Sequence, residues 1–447
     1  MEHEERHTMK GIFDLLRPVA CALLASLAGS ASGQQPALTQ DDVLSLKDGR
    51  FYLDGRPFAE ISFNKFDLFW QLWSEVEQGR ELDDANPMVA RQDKALRELK
   101  SLGFRTIRIF AVPWSGREFF EDPIRRTAYF KALDKTYELC DRNGMRVYAC
   151  IGCGGFSEIP NHARKVDAGK EHLRELVANP ESASRKLLYE YLDAMLARYK
   201  DRKTIVMWDI SNELTNCADI MPGTRISRDQ RMPTLKELAG FYNEVTAFIK
   251  QRDPLRLVTN GGSHLRESAW NLYCGNGWKA DTVAEHLQAY QLIFGDTAID
   301  VMDIHYYAVP TDGYLIQDGN GFPVLLNLKS YMEIARKIGK PMILGEYGAL
   351  PHGDNPDGEN AGKRLRPGWF ESFEEKELAS RWVQKAVDDL VDARVPITYW
   401  WCYQSDRKVE QNQPGRFDVS LDLNPEIVKV IADGNRRLQE KLLRRNH

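Results

Sequence analysis

The sequence predicts an α/β fold, a (β/α)8 barrel in a single domain, and three observations carry that prediction. Short apolar runs alternate with longer amphipathic stretches from about residue 58 to the C-terminus, eight such runs can be counted, and helix endings marked by Gly or Pro lead straight into several of them. The runs are "FAEISF" (58–63), "FRTIRIF" (104–110), "MRVYACI" (145–151), "TIVMWDI" (204–210), "LRLVTNG" (255–261), "IDVMDIH" (299–305), "PMILGE" (341–346) and "VPITYWW" (395–401). Their apolar character is continuous rather than alternating, which is the mark of strands buried on both faces and hence of a closed parallel barrel.

The elements between the runs support the same architecture. "PMVARQDKALRELKSLG" has helical spacing, with Pro87 near its start, where the missing N–H costs nothing, and Gly103 as a C-cap. "SASRKLLYEYLDAMLARYK" is a second helix of the same kind. Junctions such as "LKSLGFRTIRIF" and "RKIGKPMILGE" read as tight turns at one end of a parallel sheet. The segments after the strands are instead long and polar, notably 64–86, 152–180, 211–233, 306–326 and 347–373. Loops of that length build a cleft on the face where barrels of this kind carry their active sites.

Composition narrows the function classes. The 447 residues fit one large barrel with insertions, and 43% apolar with 28% charged residues is ordinary for a globular chain. A net charge of −5 leaves no basic footprint for nucleic acid and no polybasic membrane patch. Lys10 and Arg17 precede "VACALLASLA" and the small residues "GSASGQ", which reads as an export signal over residues 1–33 and places the mature chain, 34–447, outside the cell or in a periplasm. The acidic "MEHEERHT" fits a signal poorly, so translation is expected to start at Met9. No later run approaches the roughly 20 apolar residues of a membrane span, so a mature chain without a membrane anchor, and a monomer, are expected. Beyond Cys21, six cysteines remain (Cys140, Cys150, Cys153, Cys217, Cys274 and Cys402), and the sequence cannot choose among their pairings. "CIGC" matches half a zinc motif, but no second pair completes it, so neither a metal nor a cofactor is expected; a buried strand-end pair, or a disulfide to another loop cysteine, is the reading preferred.

Chemistry enters at two strand ends. "TIVMWDI" runs into "SNELTN", which delivers Asn212 and Glu213 just past strand four, and "PMILGEYGAL" closes its apolar run with Glu346 after strand seven. A lone Glu at such a place reads as readily as a surface carboxylate. Two at the mouth of one barrel supply the pair that glycosidic cleavage requires, one to protonate the leaving oxygen and one to attack or to activate water.

"SNE" after strand four with "GEYG" after strand seven resembles glycoside hydrolase clan A, and most of all family 5, the cellulase and β-mannanase family. Further motifs agree over most of residues 45–445. "FYLDGRPFAEISFN" resembles the family's entry into strand one, ending at Asn64. "GFRTIRIF" resembles strand two and places Arg108 beside the nucleophile; "DIHYY" resembles the His-x-Tyr of strand six, His305 and Tyr307; "ITYWWCYQ" resembles the aromatic platform of strand eight, with Trp400 the closer match.

The resemblance implies a retaining O-glycosyl hydrolase whose substrate is a β-linked, β-1,4 polysaccharide or oligosaccharide, with β-mannan ahead of β-glucan. Glu346 would be the nucleophile, kept ionised by Arg108 and Tyr307, and Glu213 the acid/base, kept protonated by its negative partner and by burial. Asn212 would bond the sugar 2-hydroxyl, and Asn64, Arg108, His305 and Tyr307 complete the substrate-binding set. His305 would orient Glu213 or the substrate, or else pack with Asp303 as its partner. Trp400 would floor the −1 sugar while Trp401, on the other side of the strand, packs behind the barrel. Strand three departs from the family, since "RVYACIGCGGFSE" lacks its His, and the insertion "NCADIMPGTRISRDQRMP" could narrow the cleft into a pocket. The rival readings are an exo-acting β-glycosidase or transglycosylase on short glycosides, a non-catalytic carbohydrate-binding barrel, and a metal-dependent barrel hydrolase built on His264, His305 and Asp303.

Overall fold

The computed structural model describes residues 37–112, 119, 122–152, 156, 158–224, 226, 228–308, 315–349, 373–404 and 419–443, within a compact unit spanning Leu38–His447. The export signal, Met9 and Cys153 lie outside the described residues. Among the described residues, eight parallel strands form the barrel: β1 (Glu60–Asn64), β2 (Thr106–Phe110), β3 (Arg146–Cys150), β4 (Ile205–Asp209), β5 (Leu257–Thr259, resumed at Gly262–Ser263), β6 (Met302–Ala308), β7 (Met342–Ala349) and β8 (Ile397–Trp400). Each of the eight apolar runs overlaps one of them. β1 to β5 pair in chain order, β8 pairs with both β1 and β7, and β7 pairs with β6. Closure comes where Ile304 and His305 of β6 meet Gly262 and Ser263, and where Val301 bridges Thr259.

Both faces of these strands are buried, but by different means. On β1 and β2, Ile61, Phe63, Ile107 and Ile109 belong to the large apolar core packed with helices such as Pro87–Ser101. The alternate residues Glu60, Ser62, Asn64, Thr106 and Arg108 are equally buried and polar. At the N-terminal end of the barrel, a small antiparallel sheet (Ser45–Lys47, Arg50–Leu53, Arg56–Pro57) joins the strands: Phe51, Leu53 and the following Phe58 share a cluster with Leu257, Val301, Ile343 and Ile397. One end of the barrel is thereby sealed with apolar side chains and the other left polar. No helix among the described residues is long and apolar enough to cross a membrane.

Helix boundaries follow local chemistry. The helix Pro87–Ser101 begins behind Asn86, whose side-chain oxygen accepts from the Met88 and Val89 amides at 2.8 and 3.2 Å, and Gly103 follows its end at φ +91°. Asn86 is buried, and its amide also donates to Glu75 at 3.0 Å and to the Glu81 carbonyl at 2.8 Å, so the cap is welded to the preceding loop. Asn86→Ala should therefore cost about 1–2 kcal/mol of stability, the upper range for a lost N-cap. Asn86→Asp should recover only part of it, since the new carboxylate would face Glu75. Thermal melts of the three proteins check the ranking.

Candidate active site

The polar end of the barrel is organised by strand ends. After β4, the Asn212 amide donates to the Gly152 carbonyl and the Glu213 amide to the Gly261 carbonyl, each at 2.8 Å, which lashes this loop across the ends of β3 and β5. Glu213 sits at φ 56°, ψ 30°, a left-handed conformation that strains a non-glycine residue and persists where surrounding bonds hold it. On β7 the pairing with β8 shifts register between Leu344 and Tyr347, and that with β6 shifts opposite His305. A bulge of this kind re-aims a side chain, here turning Glu346 inward while the next residue, Tyr347, packs outside.

These two devices bring the carboxylates together. Donor atoms of Glu213, His305 and Glu346 all lie within 4.8 Å of one another. His305 Nδ1 is 3.1 Å from Glu213 Oε1 and 3.5 Å from Glu346 Oε1. The ring thus lies between the two carboxyl groups. Burial pushes the His305 pKa down to about 4, which makes the ring neutral at ordinary pH. The Tyr307 hydroxyl donates to Glu346 Oε2 at 2.7 Å, and Asn216 Nδ2 donates to Glu213 Oε2 at 3.2 Å. Of the described residues these three groups alone are spaced so that they could hold a cation.

Beneath the pair lies Arg108, with no exposure at all. Its guanidinium donates to Asp209 Oδ2 from Nε at 3.1 Å and from Nη2 at 2.7 Å, to Asn64 at 3.1 Å, to Glu346 at 3.1 Å and to Asn212 at 2.9 Å. Asn64 is as deeply buried, and its own amide donates to the Gly345 and Tyr399 carbonyls. Arg108 and Asn64 were expected to bind substrate. Both side chains are fully buried, with Arg108 touching Glu346 and Asn212 from below.

Trp400, Glu346 and Asp303 have surroundings that the sequence did not foretell. Trp400 is only 3% exposed and packs edge-on against Tyr347 outside the strands, whereas Trp401 is half-buried and stacks on Phe66 with ring centroids 4.5 Å apart. Trp400 is the last residue in the ladder of β8 and its alternation runs opposite to the expected one, so Trp401 is the tryptophan available at the mouth. Glu346 was expected to have a lowered pKa. Burial instead raises it, helped by the charge of Glu213 and outweighing His305, Arg108 and the Tyr307 hydroxyl. Asp303 does not partner the His305 ring; it takes the Tyr148 hydroxyl and the Gly345 amide, each at 2.5 Å. Burial also raises the Glu213 pKa, against Arg108, Lys170 and Asn216, although a third of its side chain remains exposed. Of the cysteines, Cys140, Cys217 and Cys274 are unpaired thiols, and Cys150 is buried at the end of β3 with Sγ 3.0 Å from the Gly152 carbonyl.

Asp209, Asp303 and Asn216 were not among the site residues expected from sequence. The two acids did leave a signal, a charge inside an otherwise apolar strand ("VMWDI", "VMDIH"), since a buried carboxylate needs partners.

The fold and the comparisons with known proteins define a glycoside hydrolase of the (β/α)8 class. A family model described as "Glycosyl hydrolases family 2, TIM barrel domain" matches residues 124–412, and the chain belongs to that family. Among curated proteins it is similar to mannan endo-1,4-beta-mannosidase 3 of Arabidopsis thaliana, 24% identical over 352 residues that span 74% of this chain and 77% of that one. It is also similar to mannan endo-1,4-beta-mannosidase 1 of Solanum lycopersicum, 22% identical over 377 residues, 79% of this chain and 81% of the relative. Among solved structures, the glycoside hydrolase family 5 mannosidase from Rhizomucor miehei superposes with a TM-score of 0.61 at 15% identity, covering 90% of this chain and 99% of that one, a likeness of fold. The family 5-like O-glycosyl hydrolase implied by the strand-end motifs is thus borne out.

Arg108 offers a direct test of the site's construction. A lysine carries the charge but not the planar fork, and cannot span four partners on three other strands and loops. Arg108→Lys should lower kcat on the order of 100-fold, the usual loss when a preorganised donor is removed. Steady-state kinetics beside a melting curve check that the loss exceeds any unfolding.

Proposed function

We propose that the chain is a retaining glycoside hydrolase that cleaves β-1,4-linked mannan or its oligosaccharides by double displacement, with Glu346 as nucleophile and Glu213 as acid/base. The observation that carries the reading is the spacing of the pair, with carboxylate oxygens of Glu213 and Glu346 within 4.8 Å. Retaining enzymes hold their carboxyl groups about 5–5.5 Å apart, and inverting ones keep them roughly 6.5–9.5 Å apart to admit a water. The similarity to mannan endo-1,4-beta-mannosidases supports mannan as the polymer.

In this reading Glu346 attacks the anomeric carbon while the Glu213 proton passes to the leaving oxygen, and Glu213 then takes a proton from the water that releases the sugar. Glu346 keeps the Arg108 N–H and the Tyr307 O–H as donors, and both favour its ionised form. Asn212, held by Arg108, faces the 2-hydroxyl, and Trp401 floors the reacting sugar in place of Trp400. The proposal extends to export: residues 1–33 act as the leader and 34–447 as a monomeric catalytic domain, which N-terminal sequencing and sedimentation of the exported protein test.

Reducing-sugar release from β-mannan, galactomannan, carboxymethylcellulose, xyloglucan, xylan and β-1,3-glucan, with Glu346→Ala as blank, tests the substrate. Release from β-mannan that is absent in the blank is expected; activity confined to another polymer, or retained by Glu346→Ala, overturns the reading. Azide should rescue Glu213→Ala on activated aryl glycosides, which need no protonation. Trp401→Ala should lose on the order of tenfold in kcat/KM, and Trp400→Ala mainly stability.

The free enzyme needs Glu346 ionised and Glu213 protonated. Its kcat/KM therefore falls as pH drops through the raised pKa of Glu346, and falls again as pH rises through the raised pKa of Glu213. Lys170 lowers the Glu213 pKa by its charge, so Lys170→Met should move the alkaline limb to higher pH. A limb that stays in place would remove Lys170 from the account.

A further inference from the structure

We propose that Asp303, which stands outside the carboxylate pair, is a positioning residue for Glu346: its carboxyl accepts the Gly345 amide and so fixes the bulge that turns Glu346 into the cleft. The inference rests on the reading of Glu346 as the nucleophile.

The geometry is specific. Asp303 Oδ1 accepts the Gly345 N–H at 2.5 Å, and the Gly345 carbonyl accepts Asn64 Nδ2 at 2.8 Å, so both faces of the peptide that precedes Glu346 are held from inside the barrel. A Cβ on Gly345 would stand 2.4 Å from Asp303 Oδ2, which shows how closely the carboxyl is laid against this turn of the strand. Register on both sides of β7 shifts at this point. Removing the acceptor would leave a buried amide unpaired and the bulge free to relax towards regular pairing, which would rotate Glu346 away from the Arg108 guanidinium.

Burial of Asp303 beside Asp209 favours the un-ionised acid. It is fully buried, and none of the hydrogen bonds recorded from the Arg108 guanidinium goes to it; its Oδ2 partner is the phenol of Tyr148. The groups that face it are Asp209 from β4, Arg108 from β2, Tyr148 from β3 and Tyr399 from β8, with the Gly345 amide from β7. Burial and the charge of Asp209 hold its proton on, against Arg108 and those hydrogen bonds. A neutral Asp303 leaves the Arg108 charge to be divided between Asp209 and Glu346 alone. Asparagine would keep the oxygen that accepts from Gly345, and Tyr148, whose hydroxyl donates to Asp303 Oδ2, could instead accept from the asparagine amide.

Asp303→Asn and Asp303→Ala decide the matter, assayed on whichever activated aryl β-glycoside the wild type cleaves. Asparagine preserves the acceptor and the neutral charge, so it should keep kcat within about threefold and leave the acidic limb of kcat/KM in place. Alanine should lower kcat on the order of 100-fold with KM within about twofold, because the nucleophile is misplaced while the cleft is not. Three results overturn the proposal: asparagine as damaging as alanine, alanine with wild-type kcat, or an acidic limb that moves to lower pH in asparagine, which would mean that an ionised Asp303 had been raising the Glu346 pKa. If alanine does not fold, infrared difference spectra decide independently of activity. An un-ionised carboxyl band present in the wild type at neutral pH and lost in Asp303→Asn is expected, and its absence overturns the neutral acid. Failure of the mannan reading would appear elsewhere, in a wild type inert towards β-mannosides.

Discussion

Everything at the mouth of this barrel depends on one buried cation. A guanidinium with no exposure must find acceptors for its N–H groups or the fold loses more than the side chain contributes, and Arg108 finds them on Asp209, Asn64, Glu346 and Asn212. The phenyl ring of Phe110 and the phenol of Tyr148 lie 5.1 and 5.6 Å from its centre. The hydrogen-bonded partners stand on β1, β4, β7 and the loop after β4, so the same bonds that satisfy the charge fix these strand ends relative to one another. Glu346 is placed by direct contact and Glu213 through the neighbouring Asn212. A short, defined spacing between two carboxylates is a by-product of satisfying a buried arginine.

Sharing has an electrostatic consequence. An arginine beside a carboxylate ordinarily lowers its pKa, but Arg108 stands nearer to Asp209, at 2.7 Å, than to Glu346, at 3.1 Å, and its charge is largely spent there. Desolvation then prevails, and both glutamates are raised from the ordinary glutamate value. The charge of Glu213 adds to the rise of Glu346, so the two titrations are linked. The proposed double displacement needs one acid and one base, and converting Glu346 to an ester would remove the negative charge beside Glu213.

The fold was legible because parallel strands buried on both faces read as unbroken apolar runs, and all eight did. The place of Glu213 and Glu346 was legible for the same reason, since each ends such a run. Depth was not. Asn64 also lies at a strand end and Arg108 two residues before one, but which such residues line the cleft and which fill the layer below depends on the tilt and stagger of the closed sheet. Alternation failed at Trp400 and Trp401 because it fixes only which two residues oppose each other, not which of them faces inward. The break in β5 was equally hidden: "LRLVTNG" reads through to Gly261, while the strand stops at Thr259 and resumes at Gly262.

That break and the bulge of β7 are the same device used twice. Asp209 on β4 reaches towards β5, where a Cβ on Gly261 would lie 1.8 Å from its Oδ1, and Gly261 takes φ +58°. Asp303 on β6 reaches towards β7, where a Cβ on Gly345 would lie 2.4 Å from its Oδ2. In each case a buried acid presses on the backbone of the next strand at a position only glycine can fill, and the regular ladder gives way there. In each case the yielding backbone holds a catalytic candidate: the Gly261 carbonyl accepts the Glu213 amide at 2.8 Å, and Gly345 is the residue before Glu346. Neither glycine looks unusual in the sequence, because its partner acid is more than 40 residues away and meets it only through strand pairing. The irregularities that aim the two carboxylates are therefore imposed from within the barrel, by the polar layer that Arg108 holds together, and the long loops above need supply only the walls of the cleft.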